Sequence, residues 1–242
     1  MLTKRLSRIL TRIIEHPKVL LARLRGFQSD HSLFCLTARD LLGRDPKTII
    51  DIGANKGLFI NSSKYIFPNA KIYAFEPLTE FYDRIKKIKG VTAFNCGLWD
   101  REGEDIMYFN KINAGASSFL KPTEEYIQDK GQKKDLLIRK AVKRRFDKMN
   151  LKIERPCFVK IDVEGAEEKV IRGFGERLKE VDILLVEWFF RDFHEDQMKL
   201  SKLMPLLEEY GFIGFIQKEV NSIKDLPSTS NLIFFKDKRL AK

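Results

Sequence analysis

The chain has 242 residues, of which 43% are hydrophobic and 33% are charged, and its formal net charge is +11. This size suits one α/β domain with appendages, and the composition is typical of a soluble globular protein. No apolar run approaches the length of a membrane-spanning helix, and the basic N-terminus lacks the apolar core of a signal peptide. The three cysteines show no C-x-x-C spacing. We therefore expect a reducing, cytoplasmic location, without a disulfide framework or a zinc site.

The positive charge is confined to two segments. Residues 1–26 hold seven Lys or Arg and one acid, residues 133–148 hold eight and two, and the rest of the chain sums to about −1. Residues 2–14 also alternate apolar and basic side chains at helical spacing, which predicts an amphipathic helix. Such a helix packs on its own domain, contacts a membrane surface peripherally, or binds a partner. The second segment is either a solvated face or a surface that receives an acidic acceptor or RNA.

From residue 29 onward, helical and strand patterns alternate. The strand patterns KTIID, KIYAFE, VTAFN, CFVKID and DILLVE are separated by helical patterns or by an irregular stretch, and GFIGFIQ and NLIFF follow near the end. This order predicts an α/β fold with a doubly wound, mostly parallel, seven-stranded sheet and an antiparallel hairpin at one edge. We divide the chain into a basic helical extension, residues 1–44, and one domain, residues 45–242, with a hairpin-like insertion at about 97–155.

The first strand pattern runs into a turn that lacks both common phosphate fingerprints. Asp51, Gly53, Asn55 and Gly57 stand in D-I-G-A-N-K-G, where a dinucleotide site would have G-x-G-x-x-G and a P-loop would have G-K-[ST]. A carboxylate at this strand end repels phosphate and attracts a cation. We therefore predict that the turn binds a nucleoside with an ammonium group, a description that S-adenosylmethionine fits. Asp51 would contact the ammonium, and Gly53 would allow the backbone to approach closely.

Two more polar residues follow the next strand patterns. Glu76 lies 25 residues after Asp51, and an acid about 20 residues beyond a nucleotide-binding turn is the usual partner of ribose hydroxyls. Asn95 follows the third strand pattern, and its amide matches the donor and acceptor of an adenine edge. Structural interpretations also stay open: helix capping for Asp51, a surface acid before a proline for Glu76, and turn chemistry for Asn95.

The fourth strand pattern ends in K-I-D-V-E-G-A-E. Transfer of a methyl group to a hydroxyl requires alignment of the reactants and removal of the hydroxyl proton, and a carboxylate can accept that proton. Asp162 is our first choice for this role. Glu164 would face the acceptor, and Lys160 shares a side of the strand with Asp162 and would pair with it. Alternatively, Glu164 and Glu167 only stabilise the N-terminus of the following helix.

Glu187 ends the fifth strand pattern and brings another carboxylate near the predicted cleft. Asp162 and Glu187 together resemble part of a divalent-cation site, but no clear third ligand follows from the sequence, and we predict no metal. Ser117 and Ser118 lie in a predicted loop and are candidates for contact with cofactor or acceptor.

Five elements of the sequence, in this order, resemble the FkbM-type family of S-adenosylmethionine-dependent methyltransferases: IIDIGANKGLFI, AFEP, NCGLWD, GASSF and FVKIDVEGAEEKVIRG. The resemblance implies a Rossmann-like class I methyltransferase fold and O-methylation of a hydroxyl on a saccharide, a glycan or a related natural product. Two alternatives remain. One is RNA ribose methylation, although no K-D-K-E tetrad can be assigned and we do not expect a nucleic-acid partner. The other is a non-catalytic binding module tethered by its basic helix.

Overall fold

The computed structural model describes residues 29–110, 114–129, 136–217 and 229–236, so the predicted amphipathic helix at residues 2–14 lies outside the described residues. The helices in these ranges are α1 (Ser29–Leu42), α2 (Leu58–Ile66), α3 (Thr79–Ile85), α4 (Glu124–Asp129), α5 (Glu167–Phe174) and α6 (Leu200–Glu208). The strands are β1 (Thr48–Ile52), β2 (Lys71–Phe75), β3 (Val91–Phe94), β4 (Gly97–Leu98), β5 (Gly103–Asn110), β6 (Leu136–Arg144), β7 (Cys157–Ile161), β8 (Ile183–Phe189), β9 (Gly214–Gln217) and β10 (Thr229–Phe235). None of the described helices is long and apolar enough to cross a bilayer.

Seven strands form one sheet in the order β3-β2-β1-β7-β8-β10-β9. The first five are parallel neighbours, whereas β10 is antiparallel to both β8 and β9. The predicted doubly wound, mostly parallel sheet with an antiparallel edge hairpin is therefore confirmed. The strand order reverses between β1 and β7, and ligands of open α/β sheets bind beyond the strand ends at such a switch point.

The sheet is covered on both faces. Strands β1 and β7 are buried along their whole length, as expected for central strands of a parallel sheet. Side chains alternate between faces, so Ile50 joins one apolar cluster and Ile49 the other. Helix α1 falls within the predicted extension, and its Cys35 and Leu36 are buried in the second cluster. The domain boundary at residue 44 stays a prediction.

The predicted insertion builds a second, smaller sheet in the order β4-β6-β5. Strands β5 and β6 form an antiparallel hairpin, and β4 pairs with β6 in parallel. Met107 and Phe109 of β5 pack with Leu78 and Phe81, which come directly after β2 in the chain. The small sheet therefore covers the carboxyl end of the main sheet, next to the switch point.

Candidate active site

The ends of β1 and β7 approach each other closely at the switch point. The amide of Asp162 donates a hydrogen bond to the carbonyl of Ile52 at 3.0 Å, and Gly53 has a φ of 77°. A Cβ at Gly53 would lie 1.8 Å from the carbonyl oxygen of Asp162. Only glycine allows this approach, which brings the turn after β1 beside the acids that follow β7.

One cavity opens at this edge, and it brings together many of the predicted site residues. Three predicted cofactor residues line it: Gly53, Asn55 and Glu76. The predicted catalytic acids Asp162 and Glu164 line it as well, together with Glu187, Ser117 and Ser118. The remaining wall comes from residues that the sequence did not single out: Ile52, Pro77, Leu78, Gly97, Leu98, Trp99, Met107, Gly115, Phe119 and Val163. We call this space the cofactor cavity.

Glu76 is held in place by two backbone amides. Its Oε2 accepts a hydrogen bond from the Asn55 amide at 2.7 Å, and its Oε1 accepts one from the Leu78 amide at 2.8 Å. Burial raises the pKa of Glu76 to about 7, and the two amides oppose that shift. Each carboxylate oxygen has a second lone pair, so Glu76 can still accept hydrogen bonds from a ligand hydroxyl.

Asp51 and Lys160 lie behind the cavity and do not line it. Asp51 is fully buried, with its Oδ1 3.6 Å from the ammonium nitrogen of Lys160. Burial raises the pKa of Asp51 to about 6, although Lys160 counteracts the shift. Direct contact of Asp51 with a cofactor ammonium therefore stays a prediction, and its observed partner is a buried lysine.

Asn95 and Gly57 also lie outside the wall of the cavity. The Asn95 amide donates to the carbonyls of Glu76 and Pro77, both at 3.0 Å, and its Oδ1 accepts from the Thr79 hydroxyl at 3.2 Å. Gly57 has a φ of 76° and begins α2. Both residues shape the turns that carry the cavity wall, and the predicted contact between Asn95 and adenine stays a prediction.

The predicted catalytic residues form a charge network with Glu187. Lys160 donates a hydrogen bond to Asp162 Oδ2 at 2.8 Å. Burial of Asp162 is outweighed by the Lys160 ammonium and a hydrogen bond from Glu187, which hold the pKa of Asp162 below its ordinary value. The Asp162 carboxylate, followed by burial, raises the pKa of Glu187 to about 10. The two carboxyl groups therefore titrate as a pair, in which a proton favours Glu187 over Asp162.

Glu164 completes a group of three acids. It has a φ of 56°, and its Oε2 accepts a hydrogen bond from the Tyr126 hydroxyl at 3.3 Å. One carboxylate oxygen from each of Asp162, Glu164 and Glu187 lies within 4.8 Å of the others. These are the oxygen donors that a divalent cation prefers, so the sequence-based prediction of no metal stays open to test.

Glu167 has a part in the site that its sequence position did not reveal. Its Oε1 accepts hydrogen bonds from the amides of Gly165 at 3.0 Å and Val163 at 3.4 Å. Burial raises the pKa of Glu167 to about 7. The side chain therefore fixes the turn that presents Glu164, in addition to lying in the first turn of α5. No signal in the sequence distinguishes a buried Glu from an exposed one at a helix start.

The doubly wound sheet with its antiparallel edge hairpin has the architecture of the class I methyltransferase fold. The family model described as the methyltransferase FkbM domain matches residues 51–213. Methyltransferase sdnD from Sordaria araneosa is 31% identical over 196 residues, which cover 68% of this chain and 73% of that protein. The chain belongs to the FkbM methyltransferase family, as its motifs predicted.

Two more distant proteins are also similar. The 2-O-methyltransferase NoeI from Sinorhizobium fredii is 23% identical over 185 residues, which cover 72% of this chain and 76% of that protein. Among solved structures, the plantazolicin methyltransferase BpumL in complex with a pentazolic desmethylPZN analog and SAH has a TM-score of 0.49 and 10% identity. That match covers 86% of this chain and 84% of BpumL.

Proposed function

We propose that this methyltransferase uses S-adenosylmethionine and methylates a hydroxyl of a saccharide, a glycan or a related natural product. The family supports methyl transfer, and one relative is named as a 2-O-methyltransferase. The observation that carries the proposal is the set of acids that line the cofactor cavity. These are the buried carboxylate of Glu76 and the paired carboxyl groups of Asp162 and Glu187.

The residues of the cavity fit this cofactor. Glu76 keeps acceptor positions for ribose hydroxyls, and Gly53 leaves room for a ligand beside the backbone. Asn55 Oδ1 is buried and has no hydrogen-bond partner among the described residues, so it can accept a hydrogen bond from an amino group of a ligand. When bound, the cofactor supplies a methyl group on a sulfonium, which needs little further activation.

The contribution of the protein is alignment and proton removal. With S-adenosylmethionine bound as the methyl donor, the Asp162 carboxylate would accept the proton that the acceptor hydroxyl loses. Lys160 keeps Asp162 ionised before the transfer, and the proton held by Glu187 prevents repulsion between the two acids. Glu164, fixed by Tyr126, orients the acceptor hydroxyl.

Calorimetric titration tests the cofactor. We expect the wild type to bind S-adenosylmethionine and S-adenosylhomocysteine but not NAD. Glu76→Gln should weaken binding by about 1.5–3 kcal/mol, because a charged acceptor for the ribose hydroxyls is lost. Glu80→Gln is a matched control, since Glu80 is a half-exposed acid paired with Arg139 and does not line the cavity. Failure of the wild type to bind either compound would contradict the proposal.

A labelling experiment tests the acceptor. The protein is incubated with methyl-labelled cofactor and with fractionated glycans, lipids and RNA, and the labelled product is hydrolysed to locate the methyl group. We expect the label on a saccharide hydroxyl. Label confined to RNA, or to nitrogen or carbon atoms, would refute O-methylation of saccharides while leaving cofactor binding intact.

A further inference from the structure

A second, wider cavity lies beside the cofactor cavity, and the two share aromatic walls. Trp99 and Phe119 line both spaces, with their ring centroids 5.5 Å apart at an interplanar angle of 65°. The second cavity has a volume of about 820 Å³, within the range of sites that hold drug-sized ligands. We call it the acceptor groove. The two spaces therefore adjoin at these two rings.

We propose that the acceptor groove binds a saccharide that carries an anionic group, such as a phosphate or a carboxylate, and delivers its hydroxyl to the cofactor cavity. This inference rests on the proposed function, because only a methyl acceptor has to span both spaces.

Basic side chains dominate the groove. Seven line it: Arg101, Lys121, Lys143, Lys169, Arg172, Lys199 and Lys202. Four acids also line it: Asp105, Glu168, Glu195 and Asp196. The groove therefore carries a net positive charge, and such a cleft attracts anions and raises their local concentration.

Most of the groove's acids are already neutralised by its own basic residues. Lys121 pairs with Glu195 at 2.7 Å, and Lys143 pairs with Asp105. By contrast, Lys199 and Lys202 are exposed and form no ion pair with any residue that the structure describes. These two lysines stand at the start of α6, where their ammonium groups are free to meet an anionic ligand.

Trp99 adds an unused hydrogen-bond donor. The residue is buried, and its Nε1 has no hydrogen-bond partner within the described part of the chain. A buried donor without a partner costs about 1–3 kcal/mol, and a ligand oxygen that reached Nε1 would offset this cost. Lys143 lies 4.1 Å from the centroid of the Trp99 ring. Hydroxyl, carboxylate and phosphate oxygens all match these donors, and charged acceptors bind them more strongly.

The basic segment at residues 133–148 contributes little to this groove. Of its described residues, only Lys143 lines it. Three other basic side chains of the segment form ion pairs elsewhere: Arg139, Arg144 and Arg145. Selectivity for an anion is therefore assigned to the residues around α5 and α6.

Tryptophan fluorescence provides a local readout of the groove. The chain has two tryptophans, and Trp188 is buried in the main core. Trp188→Phe therefore leaves Trp99 as the single fluorophore. This protein is titrated with tetragalacturonate, an acidic tetrasaccharide, and with maltotetraose, a neutral one, with and without saturating S-adenosylhomocysteine. We expect tetragalacturonate to change the Trp99 emission and to bind about tenfold or more tightly than maltotetraose, with an affinity that falls as salt rises.

Two double variants test the source of the selectivity. The double variant Lys199→Ala/Lys202→Ala should bind tetragalacturonate about tenfold more weakly. Its affinity for maltotetraose should be unchanged. Lys87→Ala with Lys89→Ala removes the same charge from exposed positions that line neither cavity, and it should have no effect. Equal affinity for the two probes, no response to either probe, or equal effects of the two double variants would overturn the proposal. Calorimetry with S-adenosylhomocysteine on the same protein tests the proposed function separately.

Discussion

The cofactor cavity and the acceptor groove are built in different ways. The cofactor cavity depends on main-chain geometry and on buried carboxyl groups, as at Gly53 and Glu76. The acceptor groove depends on long side chains such as Lys199 and Lys202, which stand exposed on its surface. A site that holds one invariable ligand gains from a fixed backbone, whereas exposed side chains can change without altering the sheet. Substitutions in the first region should therefore damage stability and chemistry, and those in the second should alter only selectivity.

Gly53→Ala should have the largest effect, because it places a Cβ on the carbonyl of Asp162. We expect a loss of about 3–5 kcal/mol in the free energy of unfolding, from the clash and the positive φ together. Gly43→Ala is a matched control, because Gly43 also has a positive φ, 67°, but nothing lies within 4 Å of its Cβ position. It should lose only about 1 kcal/mol. Urea denaturation measures both, and equal losses would show that the close approach of β1 and β7 is not rigid.

Asp162→Asn should sharpen the distinction between binding and chemistry in the cofactor cavity. We expect turnover of the labelled acceptor to fall about 100-fold, because the amide cannot take up the hydroxyl proton. The affinity for S-adenosylhomocysteine should be largely kept. Asp83→Asn, at a half-exposed acid paired with Lys86, is the control for the change of residue type. A parallel loss of affinity and turnover would instead assign Asp162 to cofactor binding or to structure.

The sequence was sufficient where the rules of the fold act locally. Parallel strand ends meet at one edge, so the residues after β1, β2 and β7 could be grouped from the strand pattern alone, and Gly53, Glu76 and Asp162 do line one cavity. It was insufficient where a side chain had a choice of partners. Asn95 engages its own turn, and Trp99 and Phe119 reach the cavity only because the insertion folds back over the sheet.

The buried carboxyl groups predict an unusual dependence of stability on pH. Glu167 has an ordinary pKa of 4.5, and burial raises its pKa to about 7 in the folded protein. The folded state therefore retains a proton that the unfolded chain releases, and stability present below pH 4.5 is lost as the pH rises through 7. Asp51 and Glu76 shift in the same direction. Burial lowers the pKa of His31 and His194 to about 4, which opposes this trend below pH 6.5. The three acids together outweigh the two histidines, so the free energy of unfolding should decrease between pH 5 and pH 8.

Glu167→Gln should remove part of that decrease. The side-chain amide oxygen can still accept from Gly165 and Val163, and no proton is released at any pH. We expect the variant to exceed the wild type by on the order of 1–3 kcal/mol at pH 8 and to match it near pH 5. Glu168→Gln is the control: ion pairs with Arg172 and Lys169 outweigh burial and lower the pKa of Glu168, so this variant should be destabilised equally at pH 5 and pH 8. Urea denaturation measures the free energy of unfolding of all three proteins at pH 5 and pH 8. A Glu167→Gln variant that differs from the wild type equally at both pH values would contradict the raised pKa of Glu167.

The smallest effect is expected from a chelator. Three carboxylate oxygens, one each from Asp162, Glu164 and Glu187, lie within 4.8 Å of one another. Mg²⁺ and Mn²⁺ prefer oxygen ligands of this kind. The charge in this group is nevertheless balanced from within, because the Lys160 ammonium lies 2.8 Å from Asp162 and Glu187 holds a proton. A divalent cation would have to displace that proton and approach an ammonium group, which both oppose its binding.

We therefore expect turnover to be unchanged after treatment with EDTA and the melting temperature to be unaffected by added Mg²⁺ or Mn²⁺. Because these measurements use the wild type, they do not depend on a variant that folds. This prediction would be contradicted if EDTA abolished turnover and the addition of a particular divalent ion restored it. Glu187→Gln would then separate the roles of that residue: a metal ligand would lose the restoration, whereas a proton carrier would keep it. The cofactor cavity would in that case gain a metal-dependent chemistry that the acceptor groove, with its exposed lysines, does not share.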